Sequence, residues 1–223
     1  MNQKDIVKLK SRLPKKPGIM GKENYFNSAV LIPLILIKGE YHLLFEKRAA
    51  GIRQGSEVCF PGGEFDPGID KNFRDTAVRE TFEEIGVKKS KIKIIGQLDT
   101  LIGPMGVTVE PFIGVLDLPG ISKIVFDKNE VEKIFTVPYS FFERKIPEKY
   151  SVRLQVNPIE VDDKGNEIKT FPAAELHLPP KYNKLWHGKQ HSIFVYKTSG
   201  EVIWGITAEL IHELVSLFTK SFN

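Results

Sequence analysis

The feature that most constrains this chain is the run Arg79-Glu80-Thr81-Phe82-Glu83-Glu84-Ile85-Gly86. From about residue 72, Val78, Phe82 and Ile85 recur at helical spacing, which predicts a helix over 72–85 with one apolar stripe. Gly86 is placed to terminate it. Glu80, Glu83 and Glu84 fall at i, i+3 and i+4, on one helix face away from that stripe, with neighbours about 5–6 Å apart. Like charges so placed cost about 0.2–0.5 kcal/mol per pair, so helix stability does not call for them. A hard divalent cation, which takes oxygen ligands, reverses the sign of that interaction. The competing reading is a solvated acidic face with Arg79 paired to Glu83 at i, i+4. Two neighbours move the balance toward a polyphosphate–metal site. Gly62-Gly63 lets backbone approach a ligand closely, and the following loop carries Asp66 and Asp70.

The rest of the chain alternates strands and helices. A short amphipathic helix is predicted over 4–13 from Ile6, Val7, Leu9 and Leu13, ended by Pro14 and Pro17, with loop to about 26. Strands are predicted over 29–37 and 41–46, with a turn at 38–40, then loop over 49–56. A short strand over 57–60 runs into Pro61-Gly62-Gly63. Further strands are predicted over 91–98 and 107–116. Asp127 is predicted to cap a helix over 129–135 that stops before Pro138. Segments 152–161 and 168–176 flank Asp162-Asp163-Lys164-Gly165-Asn166 and predict a hairpin. Strands over 192–196 and 201–204 and a helix over 207–218 close the pattern. With no repeat and no linker, the reading is an N-terminal extension (1–26) and a single domain (27–223) with an irregular insertion at about 150–190. Its class is α+β, helices packed on a mixed sheet.

Composition narrows the function. Lys plus Arg number 32 against 28 Asp plus Glu, a formal charge of +4 that is too weak to argue for nucleic acid and suits a small anionic substrate. Cys59 is the one cysteine, so no internal disulfide forms, and a reducing, cytoplasmic setting is expected. Between Val58 and Phe60 it reads as a small core residue rather than a nucleophile. The longest apolar run, 29–37, contains Pro33 and is too short for a bilayer; no membrane partner is expected. The lysine-rich start is followed by no apolar signal segment, and its Asp5 and Glu23 argue against a transit peptide. The five histidines lack ligand spacing, and no P-loop or dinucleotide fingerprint is present.

Gly63 followed by Arg79-Glu80-Thr81-Phe82-Glu83-Glu84-Ile85-Gly86-Val87 resembles the signature of the Nudix hydrolases. All fixed charges and the glycine of its second half are present; Thr81 stands where an apolar residue is usual. The spacing from Gly63 to Arg79 is two residues longer than the general one. Lys71 stands where counting back would put the first glutamate, with Asp70 beside it. The loop Gly-Gly-X-X-Asp-X-X-X-Asp, together with Leu43-Leu44-Phe45-Glu46-Lys47-Arg48-Ala49, Arg53 and Glu57-Val58-Cys59-Phe60-Pro61-Gly62-Gly63, is similar to the coenzyme A diphosphatase branch. That branch expects a glycine before Glu57, where this chain has Ser56. The resemblance covers roughly 27–145 and 191–219.

The resemblance implies a Nudix-type α/β/α sandwich, with a central mixed β-sheet and the acidic helix on one face. It implies hydrolysis of a diphosphate bond with Mg²⁺ or Mn²⁺, held by Glu80, Glu83, Glu84 and the Gly63 carbonyl. Arg79 would orient the glutamates. The general base is open among Glu83, Glu110 and Glu130. Arg48 and Arg53 are candidates for the 3′-phosphate of coenzyme A, with Gly62 and Gly63 lining the substrate site. The leading expectation is cleavage of coenzyme A or its derivatives to 3′,5′-ADP and 4′-phosphopantetheine, with a possible homodimer. The alternatives are a diphosphatase for ADP-ribose or another nucleoside diphosphate derivative, and a catalytically silent Nudix module that binds a nucleotide or protein.

Overall fold

The computed structural model describes residues 1–219. Helix α1 (Gln3–Arg12) opens the chain, with Asn2 and Asp5 forming a reciprocal capping box; none of its residues is buried. Strands β1 (Phe26–Ile37) and β2 (Glu40–Arg48) form a hairpin, followed by the short strands β3 (Val58–Cys59) and β4 (Gly62–Glu64). Helix α2 (Phe73–Ile85) comes next, then β5 (Ile92–Gln97), β6 (Leu101–Gly103), β7 (Val107–Leu116) and β8 (Val131–Pro138). Helix α3 (Tyr139–Arg144) leads to β9 (Glu148–Val156), β10 (Ile159–Val161), β11 (Glu167–Lys169), β12 (Trp186–Lys197), β13 (Val202–Trp204) and α4 (Gly205–Thr219).

The eight-stranded sheet is mixed. β1 runs parallel to β7 over ten register pairs, Phe26–Val107 to Ile35–Leu116, and its other pairings are antiparallel. β1 and β2 stay paired only from Leu34–Leu43 to Ile37–Glu40. Beyond that they diverge, and β3–β4 fills the fork: β3 pairs with β2, and β4 with β1. The Pro61-Gly62-Gly63 turn is thereby held between two long strands.

Alternation along β1 and β2 divides the core. Ala29, Leu31, Ile35 and Leu44 pack with Ala77, Ile85 and Phe112 beneath α2. Ile32, Leu43 and Phe45 pack on the opposite face with Tyr196, Ile203, Ala208 and Ile211 of β12, β13 and α4. Helices thus cover both faces of the mixed sheet, the sandwich expected. Phe45 stacks on Phe60 and Phe135, with centroids at 4.9 and 5.4 Å.

Three expectations are corrected. Residues 131–138 form β8, not part of a helix over 129–135. Asp127 caps only a turn, accepting from Asn129 N at 2.8 Å, and the β-branched and aromatic run Val131, Ile134, Phe135, Val137 pairs with β2. In α2 only Ile85 of the stripe Val78–Phe82–Ile85 is buried: Phe82 is 45% exposed and Val78 half-buried, and the rest of the buried face is Thr76, Ala77, Thr81 and Glu84. The hairpin around 162–166 is real but short, β10 with β11; residues 152–156 belong to β9, which finds a longer partner in β12. No helix among the described residues is long and apolar enough to cross a membrane.

Candidate active site

Helix α2 presents its glutamates to the fork. Asn72 caps its start, accepting from Asp75 N, and Gly86 ends it in a left-handed conformation at φ +68°. Thr81, in the position that usually holds an apolar residue, is fully buried because its hydroxyl donates to Ala77 O at 2.6 Å. The glycine pair meets the helix directly. A Cβ at Gly63 would lie 2.5 Å from the Glu80 carboxyl carbon, and the Gly62 N–H donates to Glu84 Oε2 at 2.8 Å.

Arg79 is the hub of the outer half. It donates to Glu80 at 2.6 Å, to Glu83 at 2.9 Å and to both oxygens of Asp70 at 2.9 and 2.8 Å. Thr76 adds a hydroxyl bond to Asp70. These hydrogen bonds, from Arg79 first, hold the Asp70 carboxyl down at about 2. Asp70, one residue before Lys71, therefore supplies the acid that braces the arginine. Burial raises Glu80 above the ordinary carboxylate range.

The inner half contains a residue that sequence reasoning passed over. Glu46 of β2 is fully buried on the α2 side of the sheet. Cys59 Sγ donates to its Oε1 at 3.3 Å, while Oε2 has no hydrogen-bond partner among the described residues. Arg48 spans Glu46 and Glu84, its Nη1 lying 3.7 Å from Glu46 Oε1 and 3.4 Å from Glu84 Oε1. Burial raises both carboxyls, and Glu46 repels Glu84 further. The signal was present: an acid on the same strand face as Leu44, in a strand buried on both sides. Burial also raises the Cys59 thiol, which keeps it protonated as the donor to Glu46.

The remaining candidates are placed as follows. Glu110 stands in register with Ala29 and through it with Gly63, so it shares the α2 face of the sheet. It is buried and accepts from Lys22 at 2.5 Å, Gln97 at 2.8 Å and Thr100 at 2.9 Å. Glu130 is exposed at the start of β8, near enough to raise both Glu46 and Glu80. Arg53 lies over the Phe26 ring at 5.0 Å, and its carbonyl accepts from Arg48 Nε. Ser56 adopts φ +66°, a region that favours glycine.

The donor set suits a hard cation: carboxylate oxygens only, at a glycine pair that leaves room beside Glu80. Among the described residues no three acidic, histidine or cysteine side chains already converge at ligand spacing. The guanidiniums of Arg79 and Arg48 sit among the carboxylates instead.

The chain is similar to known proteins over most of its length. The NUDIX domain pattern matches residues 26–191. An uncharacterized Nudix hydrolase, NudL of Photorhabdus laumondii, is 32% identical over 210 residues, covering 94% of this chain and 93% of that protein. Nudix hydrolase 3 of Caenorhabditis elegans is 31% identical over 198 residues, covering 86% and 73%. A solved C. elegans Ap4A hydrolase binary complex is 21% identical over 52% of this chain and 82% of that one, with a TM-score of 0.44. The chain belongs to the Nudix hydrolase family.

Proposed function

We propose that this hydrolase cleaves the diphosphate bond of coenzyme A or its derivatives, with Mg²⁺ or Mn²⁺ held by Glu80, Glu83, Glu84 and the Gly63 carbonyl. The observation that carries the reading is Arg48, whose Nη1 lies 3.4 Å from Glu84 of the acidic helix, while its Nε donates to the Arg53 carbonyl. Arg48 and Arg53 would then supply two guanidiniums able to grip a second phosphate of the substrate bidentately. Bound metal would neutralise the phosphate oxygens and acidify the attacking water.

The chain's own residues supply positioning. Arg79, anchored on Asp70, fixes Glu80 and Glu83. Water oxygen bonds to one phosphorus, the bridging P–O bond breaks, and two phosphomonoesters leave; a carboxylate takes the proton. Glu110, Glu83 and Glu130 are the candidates for that base, and only Glu110 is both buried and hydrogen-bonded through each oxygen. ADP-ribose or another nucleoside diphosphate derivative is the second reading. It is favoured by Ser56, which puts a side chain in the loop where the coenzyme A branch has none.

The test is mass analysis of products from coenzyme A, ADP-ribose and a set of nucleotides with Mg²⁺. Fastest release of 3′,5′-ADP and 4′-phosphopantetheine is expected, and loss of turnover in Glu83→Gln. Faster cleavage of another compound refutes the coenzyme A reading. Gln variants at 83, 110 and 130 in turn identify the base, as the one that loses about 10²–10⁴-fold in rate with metal binding retained.

A further inference from the structure

The inner half of the site has an imbalance of charge. Glu46 and Glu84 are both buried, with side chains 0% and 2% exposed, and among the described residues a single guanidinium is ion-paired with the two of them. Neither Arg48 contact is tight, at 3.7 and 3.4 Å. Glu46 Oε2 has no hydrogen-bond partner among the described residues, an arrangement that costs free energy in a low-dielectric interior. One positive charge opposite two carboxylates is poor compensation; a divalent cation matches them, and hard oxygen donors are what such a cation takes. Arg48 is the member of the trio nearest solvent, at 22% exposed against 0% and 2%.

We propose that Glu46 is a fourth carboxylate of the metal centre. A divalent cation takes the place of the Arg48 guanidinium between Glu46 and Glu84, and the displaced Arg48 turns to the anionic substrate. This rests on the metal-dependent diphosphatase reading and adds two things to it: a ligand outside the helix and its glycine, and an ordered exchange. Arg48 serves the carboxylates before the metal arrives and the substrate afterwards. The backbone permits the exchange because Glu46 and Arg48 lie two residues apart on one strand, both facing α2, so the guanidinium swings outward while Glu46 stays anchored by the Cys59 thiol.

The test counts Mn²⁺ ions and their affinities by electron paramagnetic resonance in wild type, Glu46→Gln and Glu83→Gln. Expected is a loss of about 10–100-fold in affinity for one ion in Glu46→Gln. An unchanged number and affinity in Glu46→Gln, with loss in Glu83→Gln, overturns this proposal and leaves the metal reading standing. Wild type that binds no Mn²⁺ overturns both. Should Glu46→Gln not fold, the Arg48 Nε resonance of ¹⁵N-arginine-labelled wild type is followed during Mg²⁺ titration. A shift with saturation is expected, and a resonance that does not move refutes the exchange.

Discussion

Gly62 and Gly63 are adjacent, yet their alanine variants should fail in opposite ways. At Gly63 an added Cβ would stand 2.5 Å from the Glu80 carboxyl carbon and 2.5 and 2.7 Å from its oxygens. Ordinary contact begins at 3.4 Å, so the carboxylate must retreat by roughly 0.9 Å. It is the far end of a flexible side chain, tied to Arg79 rather than to backbone, so the fold absorbs the change within about 1 kcal/mol. The chemistry does not, because a misplacement near 1 Å can cost about 10²-fold in rate. At Gly62 the Cβ would lie 2.3 Å from Ala29 O and 2.7 Å from Val30 Cα. Backbone in the middle of a sheet has nowhere to retreat, and overpacking there costs about 2 kcal/mol or more. The assay pairs kcat/KM for the best substrate under saturating Mg²⁺ with thermal unfolding. Expected for Gly63→Ala is near-native stability and about 100-fold lower kcat/KM. Expected for Gly62→Ala is a melting temperature lower by about 5 °C or more. Gly63→Ala with activity within threefold of wild type would refute the close approach of β4 to Glu80, and with it the fork as the frame of the site.

Asp70→Asn removes the acid beneath Arg79. With the native carboxyl at about 2 against an ordinary value near 3.8, the linkage is worth about 2 kcal/mol at neutral pH. Because the folded-state value is depressed, that stability is fully present above about pH 4 and lost as pH falls toward 2. The gap between wild type and Asp70→Asn in denaturant titrations should close over that window; a gap independent of pH contradicts the assignment. Ser56→Gly relieves a left-handed conformation that costs a non-glycine residue about 1–2 kcal/mol, less the added chain entropy of glycine. Calorimetry should show a melting temperature about 2–4 °C higher, and a decrease would mean the serine side chain is stabilising that loop.

Much of this was readable from local chemistry. The helix from Asn72 to Gly86, the glycine stop at 62–63 and the hairpin at 38–40 each carry their own signals: a cap, a left-handed terminator, a turn. What failed was decided at a distance. Residues 129–135 hold a cap and helix-compatible acids, but β2 offered a partner edge, and a strand won. The helical face departs from the apolar stripe because Glu84 meets the Gly62 amide and Arg48, neither of them near it in sequence. The burial of Glu110 is likewise set from afar, by Lys22, 88 residues away.

The loop between β4 and α2 has a further consequence. It is closed by its own bonds: Gly68 N donates to Asp66 Oδ1 at 2.7 Å, and Asp70 N to Asp66 O at 2.7 Å. The two residues that lengthen it are therefore not slack. They let the acid beneath Arg79 come from a turn rather than from the register of the helix, so its position is governed by chain closure and not by helical phase. The arginine's anchor and the helix's carboxylates can thus drift independently in sequence. A chain trimmed back to the shorter spacing would regain the common length and lose the brace.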